Sequence, residues 1–161
     1  MKDASPSQKC TRCDPLLLYG VSRSMPSIKA YEGYTLLLKA YEEFYMEMGG
    51  AKCNYSREVF DWLYKWAEIP IFKGNTVSEI LDHAVKWGRC LKRREIWNGI
   101  ILHAIWFIWR ARNDKVFNKE RSPVADTVDK VMVNSFEWVK YTKKRGRMRW
   151  AEWSCNPFSV L

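Results

Sequence analysis

The chain lacks most of what an enzyme of its size would carry. It has no glycine-rich phosphate loop, no paired-aspartate polymerase signature, no H-E-x-x-H and no nuclease-like set of spaced carboxylates. Histidine is scarce: His83 and His103 are the only two, and spacing places no Ser or Cys nucleophile beside either. No apolar run reaches the roughly 20 residues that a spanning helix needs. The most apolar stretch, Ile96–Trp109, is shorter and contains Asn98, Gly99 and His103. The N-terminal MKDASPSQKC has no apolar leader core. Five cysteines, an odd number, are therefore expected in a reducing intracellular setting, as free thiols or metal ligands. These absences argue against an enzyme and against a membrane partner.

What is present is apolar, aromatic and basic. With 161 residues, 47% hydrophobic and 28% charged, the composition is that of one globular domain with a moderate core. All nine Trp lie after residue 60, and the charge is as uneven. Residues 1–50 carry 6 basic and 6 acidic groups, and residues 51–161 carry 21 and 12, so the whole +9 lies in the second part. Such a balance favours association with polyanions, RNA or DNA among them.

Periodicity predicts helices throughout. Residues 1–27, punctuated by Pro6, Pro15 and Pro26, have no helical period and read as a flexible, disordered arm. Over 28–48, Tyr34, Leu37, Leu38, Tyr41, Phe44, Tyr45 and Met48 recur at three- and four-residue steps, and Gly49-Gly50 ends the pattern. A second helix has the stripe Val59, Trp62, Leu63 and Trp66, with Asn54 or Ser56 as cap, and stops before Ile69-Pro70. Thr76-Val77-Ser78-Glu79 is a capping box that opens a third, through Ile80, Leu81, Ala84 and Val85 to Gly88. The long central helix is expected from about Arg93 to Asn118. After Ser122-Pro123 comes a last helix with Val128, Val131, Met132, Phe136 and Val139 inward. Residues 145–161 show no period and read as an irregular basic and aromatic tail. The fold class is all-α, a small bundle of about five helices.

Each candidate site has a plainer counterpart. Cys10-Thr11-Arg12-Cys13 has the spacing of half a zinc site, but free thiols in the arm satisfy it equally. His103, in the most apolar stretch, reads as a core histidine bonded to a backbone carbonyl or a neighbour, and His83 reads the same way. Trp97, Trp106 and Trp109, with Trp62 and Trp66, have the spacing of a core stripe and the chemistry of a base-stacking platform. Lys140–Arg149 carries six basic residues, Lys140, Lys143, Lys144, Arg145, Arg147 and Arg149, around Tyr141 and just before Trp150. That pattern suits contact with a phosphate backbone, and equally a solvated helix end. Arg89, Lys92, Arg93 and Arg94 form a second such cluster. Lys144-Arg145-Gly146-Arg147 also has the character of a nuclear import address, which favours the nucleus over the cytoplasm.

Five segments carry a family likeness. Cys53 with Val59-Phe60 and Trp62 fits C…A..VW, and Trp66 with Ile69-Pro70 fits the W..IP that follows. Trp106–Asn113 with Phe117 fits W.IW..RN...F, Phe136–Val139 fits F.WV, and Trp150 through Leu161 fits W..W..SPF..L. In this order, from about Ala51 onward, they resemble the C-terminal region of plant LINE-type (non-LTR) retrotransposon polyproteins. That region is the reverse-transcriptase zinc-binding domain and its downstream helical tail. The resemblance implies a detached, non-catalytic piece of an RNA-directed DNA polymerase polyprotein that helps to hold RNA or DNA. It divides the chain into an arm at 1–27, an amphipathic helix foreign to the family at 28–50, a zinc-binding-like helical domain at 51–144 and a tail at 145–161. The residues themselves leave a different class open, a helical protein-interaction scaffold or a non-functional relic, with the 34–48 stripe as the partner-binding face.

The family's knuckle would be C-x-x-C, then His, then Cys. Here Cys53 takes the last position, Cys10 and Cys13 lie 43 and 40 residues before it, and no His stands between Cys13 and Cys53. Cys10, Cys13 and Cys53 are thus the candidate metal ligands, one short of a tetrahedral zinc set. Elemental analysis of the purified protein is expected to return less than one zinc per chain. A full equivalent would show that a fourth ligand completes the set.

Overall fold

The computed structural model describes residues 53–87, 90–142, 148–159 and 161. The expected arm and the helix at 28–48 lie outside them. Among the described residues, five α-helices follow in order: α1 (Asn54–Trp66), α2 (Val77–Lys86), α3 (Leu91–Asn113), α4 (Val124–Thr142) and α5 (Trp150–Cys155). A π-helical turn, Asp114–Asn118, extends α3. No strand occurs among the described residues. The fold is an all-α bundle.

The central helix is buried because it is apolar nearly all round. Of its residues Ile96–Trp109, all but Asn98 and Phe107 are buried, and Trp97, Ile100 and Ile101 have no exposed surface. Each such side chain contributes about 1.5–3 kcal/mol by leaving water. α3 packs most extensively on α4, then on α2. No described helix is long and apolar enough to cross a membrane.

Local chemistry sets the boundaries. Thr76 caps α2 by accepting from the Glu79 N–H at 3.1 Å, while the Glu79 carboxylate reaches back to the Asn75 N–H at 2.7 Å. The capping box therefore forms with its return bond one residue further out than expected. α1 ends as a Schellman motif: the Ile69 N–H bonds the Tyr64 carbonyl at 2.9 Å and the Glu68 N–H bonds that of Lys65 at 3.1 Å. Glu68 takes the left-handed conformation usually left to glycine, with φ 54°. The N-cap of α1 is Cys53 and makes no side-chain cap bond. Neither Asn54 nor Ser56 serves, since both are already inside the helix and Ser56 is buried. The central helix keeps α geometry only to Asn113, short of the expected Asn118. Its π turn closes with Lys119 left-handed at φ 56°.

The tail departs most from expectation. Residues 150–155 are helical, and their aromatic side chains dock rather than trail. Trp153 has no exposed surface, and its indole N–H donates to the Met132 carbonyl of α4 at 3.0 Å. The Trp66 indole N–H donates to the Ser154 carbonyl at 3.0 Å, tying α1 to α5. Tyr55 and Thr127 share a 2.7 Å hydroxyl bond that holds the start of α1 to the start of α4.

The pairing of α3 with α4 turns on one glycine. A Cβ at Gly99 would overlap the Trp138 indole, so the ring occupies the notch that glycine leaves. Helix propensity favours alanine over glycine mid-helix by about 1 kcal/mol, yet here the methyl has nowhere to go. Gly99→Ala is expected to destabilise by about 1–3 kcal/mol, and Trp138→Ala by about 3 kcal/mol. Urea unfolding of the double variant should show less loss than the two singles added together, because removing the indole gives the methyl room.

Candidate nucleic-acid interface

α3 and α4 run antiparallel, and the contact that fixes their register also decides where the basic residues lie. Gly99 and Trp138 stand at nearly equal distances from the connection around Asn118. Beyond that contact, the N-terminal turns of α3 and the C-terminal turn of α4 point to the same end of the bundle. At 1.5 Å per residue, Lys92, Arg93 and Arg94 lie roughly 7–11 Å past Gly99, and Lys140 about 3 Å past Trp138. Lys92, Arg93 and Arg94 thereby lie toward the same end as Lys140, nearly 50 residues away in sequence.

Aromatic rings hold two of these cations. The Arg93 guanidinium lies over the Phe158 ring at 5.5 Å, and Phe158 stacks on Trp87 at 5.3 Å. Trp87 in turn meets Trp97 of α3 at 6.4 Å. The last residues of the chain are thus folded back beside the first turn of α3. Lys140 lies over Phe136 at 5.5 Å, and Phe136 meets Trp150 edge-on at 5.4 Å and Trp153 at 5.9 Å. Such cation–π contacts are worth about 0.5–1 kcal/mol at exposed sites. Arg149 donates to the Glu152 carboxylate, so part of its charge is already answered.

The start of α3 is electropositive beyond its side chains. Its first turn holds no acidic residue, and the helix dipole adds partial positive charge there. Cys90, exposed ahead of that turn, reports the field: the backbone N–H groups of Arg93 and then Lys92 lower its thiol pKa. Lys92 and Arg93 are exposed, whereas Arg94 is half-buried and its Nε has no hydrogen-bond partner. Arg89, Lys143, Lys144, Arg145 and Arg147 lie outside the described residues.

The other candidates resolve differently. His103 is a core histidine, bonded through Nδ1 to the Gly99 carbonyl at 2.7 Å and set against Trp138. His83 is half-buried, stacked on Phe72 at 4.2 Å and 3.2 Å from the Tyr64 hydroxyl through Nδ1. Burial lowers the His83 pKa and raises that of Tyr64 to about 12. Trp97, Trp106 and Trp109 are core, as their spacing suggests, and Trp66 is half-buried. Trp62 is 58% exposed and does not belong to that stripe, and Val85 likewise faces solvent. Cys53 is exposed at the start of α1, while Cys10 and Cys13 lie outside the described residues. Among the described residues no group of three or more His, Cys, Asp or Glu side chains converges to hold a metal. An open cleft beside α1, lined by Arg57, Asp61, Lys73 and Asn75, lies toward the start of that helix, away from the basic end.

His103 gives the core a pH dependence with a definite sign. Burial pushes its pKa down to about 4, the bond to Gly99 acting against that shift. In the unfolded chain an ordinary histidine titrates near 6.5, so between these values the unfolded state binds more protons. Its contribution is complete above about pH 6.5 and falls by roughly 3 kcal/mol as the pH drops to about 4. Urea unfolding at pH 7 and pH 4.5 should show this loss, and His103→Gln should flatten it. Compared with protein-family models, with curated proteins and with solved structures, the chain finds no match.

Proposed function

We propose that this chain is a non-catalytic helical module that binds nucleic acid on the basic end of its bundle. We assign it to the C-terminal region of a non-LTR reverse transcriptase polyprotein on the ordered sequence motifs. The observation that carries the binding is that Lys92, Arg93 and Lys140 lie toward one end of the bundle, the end that also holds the positive end of the α3 dipole. Lys140, in the last turn of α4, complements that helix's dipole, but Lys92 and Arg93 have no such structural reason. Basic residues in a first turn oppose the helix dipole, costing a few tenths of a kcal/mol each at an exposed site, and a phosphate backbone turns that cost into attraction.

The unabsorbed charge of the chain points the same way, because the whole +9 resides in residues 51–161. Contacts of this kind neutralise phosphates and release condensed counterions, so they hold many sequences and weaken steeply with salt. The two histidines serve the fold: His103 is sealed in the core and His83 is engaged with Tyr64. A nuclear location accords with this role and with the basic run at 144–147.

Fluorescence anisotropy with labelled RNA and DNA across a salt series tests the reading. Binding is expected at low salt, with a slope of about −0.7 to −0.9 per phosphate contact in log K against log salt. Lys92→Gln, Arg93→Gln and Lys140→Gln together should weaken it at least tenfold and flatten the slope. Binding that is absent at low salt, or unmoved by these changes, would remove the proposal.

A further inference from the structure

We infer that the basic end takes single-stranded nucleic acid and stacks an unpaired base on the Trp150 indole. This rests on the nucleic-acid reading above and adds the strand state and the recognising side chain. The tryptophans of α3 cannot perform stacking, since Trp97, Trp106 and Trp109 are enclosed by the bundle. Trp150 differs from them on both counts that matter. It is 43% exposed, and it shares the Phe136 ring with a cation, Lys140.

The indole is also held in place, which a stacking surface requires. Phe136 is buried and supports Trp150 edge-on. The short helix that carries Trp150 is pinned by the Trp153 indole on the Met132 carbonyl and by Trp66 on the Ser154 carbonyl. Ordering this surface on binding therefore costs little conformational entropy. The arrangement of charge agrees. Glu152 engages Arg149, and among the described residues Lys140 is then the cation on the Phe136 ring, for the phosphate next to a stacked base. From Lys140 the strand's next phosphates reach Lys92 and Arg93 at the same end. Tyr141, 73% exposed on the outward side of α4, presents a second aromatic ring to a strand passing Lys140.

A base within a duplex has both faces covered by its neighbours, so an aromatic platform of this kind discriminates for unpaired bases. A duplex can use only the cations. The structure thus combines a sequence-tolerant stacking contact with a backbone contact, and not a helix shaped for reading a groove.

Binding of a 12-nucleotide single strand and of its blunt duplex, measured at one salt concentration with the full chain, tests this. The single strand is expected to bind about tenfold more tightly. Trp150→Leu keeps apolar packing on Phe136 while removing the stacking face, and should weaken single-strand binding by roughly 5- to 100-fold with little change for the duplex. Trp150→Phe should fall between, and circular-dichroism melting checks that each variant folds. Equal or tighter binding of the duplex would overturn the inference. So would a folded Trp150→Leu variant that binds the single strand as well as the unaltered protein does. In either case salt-sensitive binding that still depends on Lys92, Arg93 and Lys140 leaves the nucleic-acid reading standing. Absence of binding to both forms by the unaltered protein overturns both.

Discussion

The seating of the Trp138 indole in the notch at Gly99 is the constraint on which the rest of the structure depends. Mid-helix glycine is costly on its own, by about 1 kcal/mol relative to alanine, and here the cost is offset by bringing the largest side chain of α4 against the backbone of α3. The same backbone position accepts the His103 bond, so the carbonyl, the imidazole and the indole form one packed group. Close packing of this kind admits one register and excludes its neighbours, since a slip of one residue would set the ring against a Cβ. Because the two helices are antiparallel, that register also decides which charged residues lie toward the same end. Packing in the middle of the bundle thereby places the electrostatics at its end.

The end itself is built from aromatic rings that serve two purposes. Trp87, Phe158, Phe136 and Trp153 close the core around α3, α4 and α5, and two of them, Phe158 and Phe136, present their faces to Arg93 and Lys140. A cation on a ring loses less by approaching its like-charged neighbours than a free one would. The terminal residues matter here in a way that their composition hides. Through Phe158 and Trp153 they complete the bundle. Trp150, on the same short helix, remains open to solvent.

Much of this was legible in the sequence, for identifiable reasons. The helices at 54–66, 77–86 and 124–142 follow from apolar periodicity, that at 91–113 from an almost uninterrupted apolar run, and the Thr76 cap from its T-x-x-E spacing. The core role of His103 follows from an apolar stretch with no nucleophile in reach. What failed was local. Trp62 shares the helical step of Val59 and Trp66 yet faces solvent, because periodicity fixes a stripe only to within one position at its edge. α5 is six residues long, too short for any period to show, and it folds because Trp153 finds the Met132 carbonyl. That Lys92 and Arg93 lie toward the same end as Lys140 was invisible because it is set by the long-range contact of Gly99 with Trp138. Lys92 and Lys140 carry no trace of each other in their own neighbourhoods. The glycine itself was a signal, since a lone glycine inside a long apolar helix marks a close approach.

The central claim is that one end of the bundle, fixed by the Gly99–Trp138 register, is the surface for nucleic acid. Nine indole N–H groups distributed through residues 62–153 are natural reporters of it. The most direct measurement is a titration of the 15N-labelled protein with a short single-stranded oligonucleotide, followed by NMR. The Trp150 indole signal and the backbone signals of residues 91–94 and 138–142 are expected to shift. Those of Trp106, Trp109 and the π turn at 114–118, toward the opposite end, should stay still. Shifts centred on residues 106–118, with 91–94 and 138–142 unmoved, would contradict it.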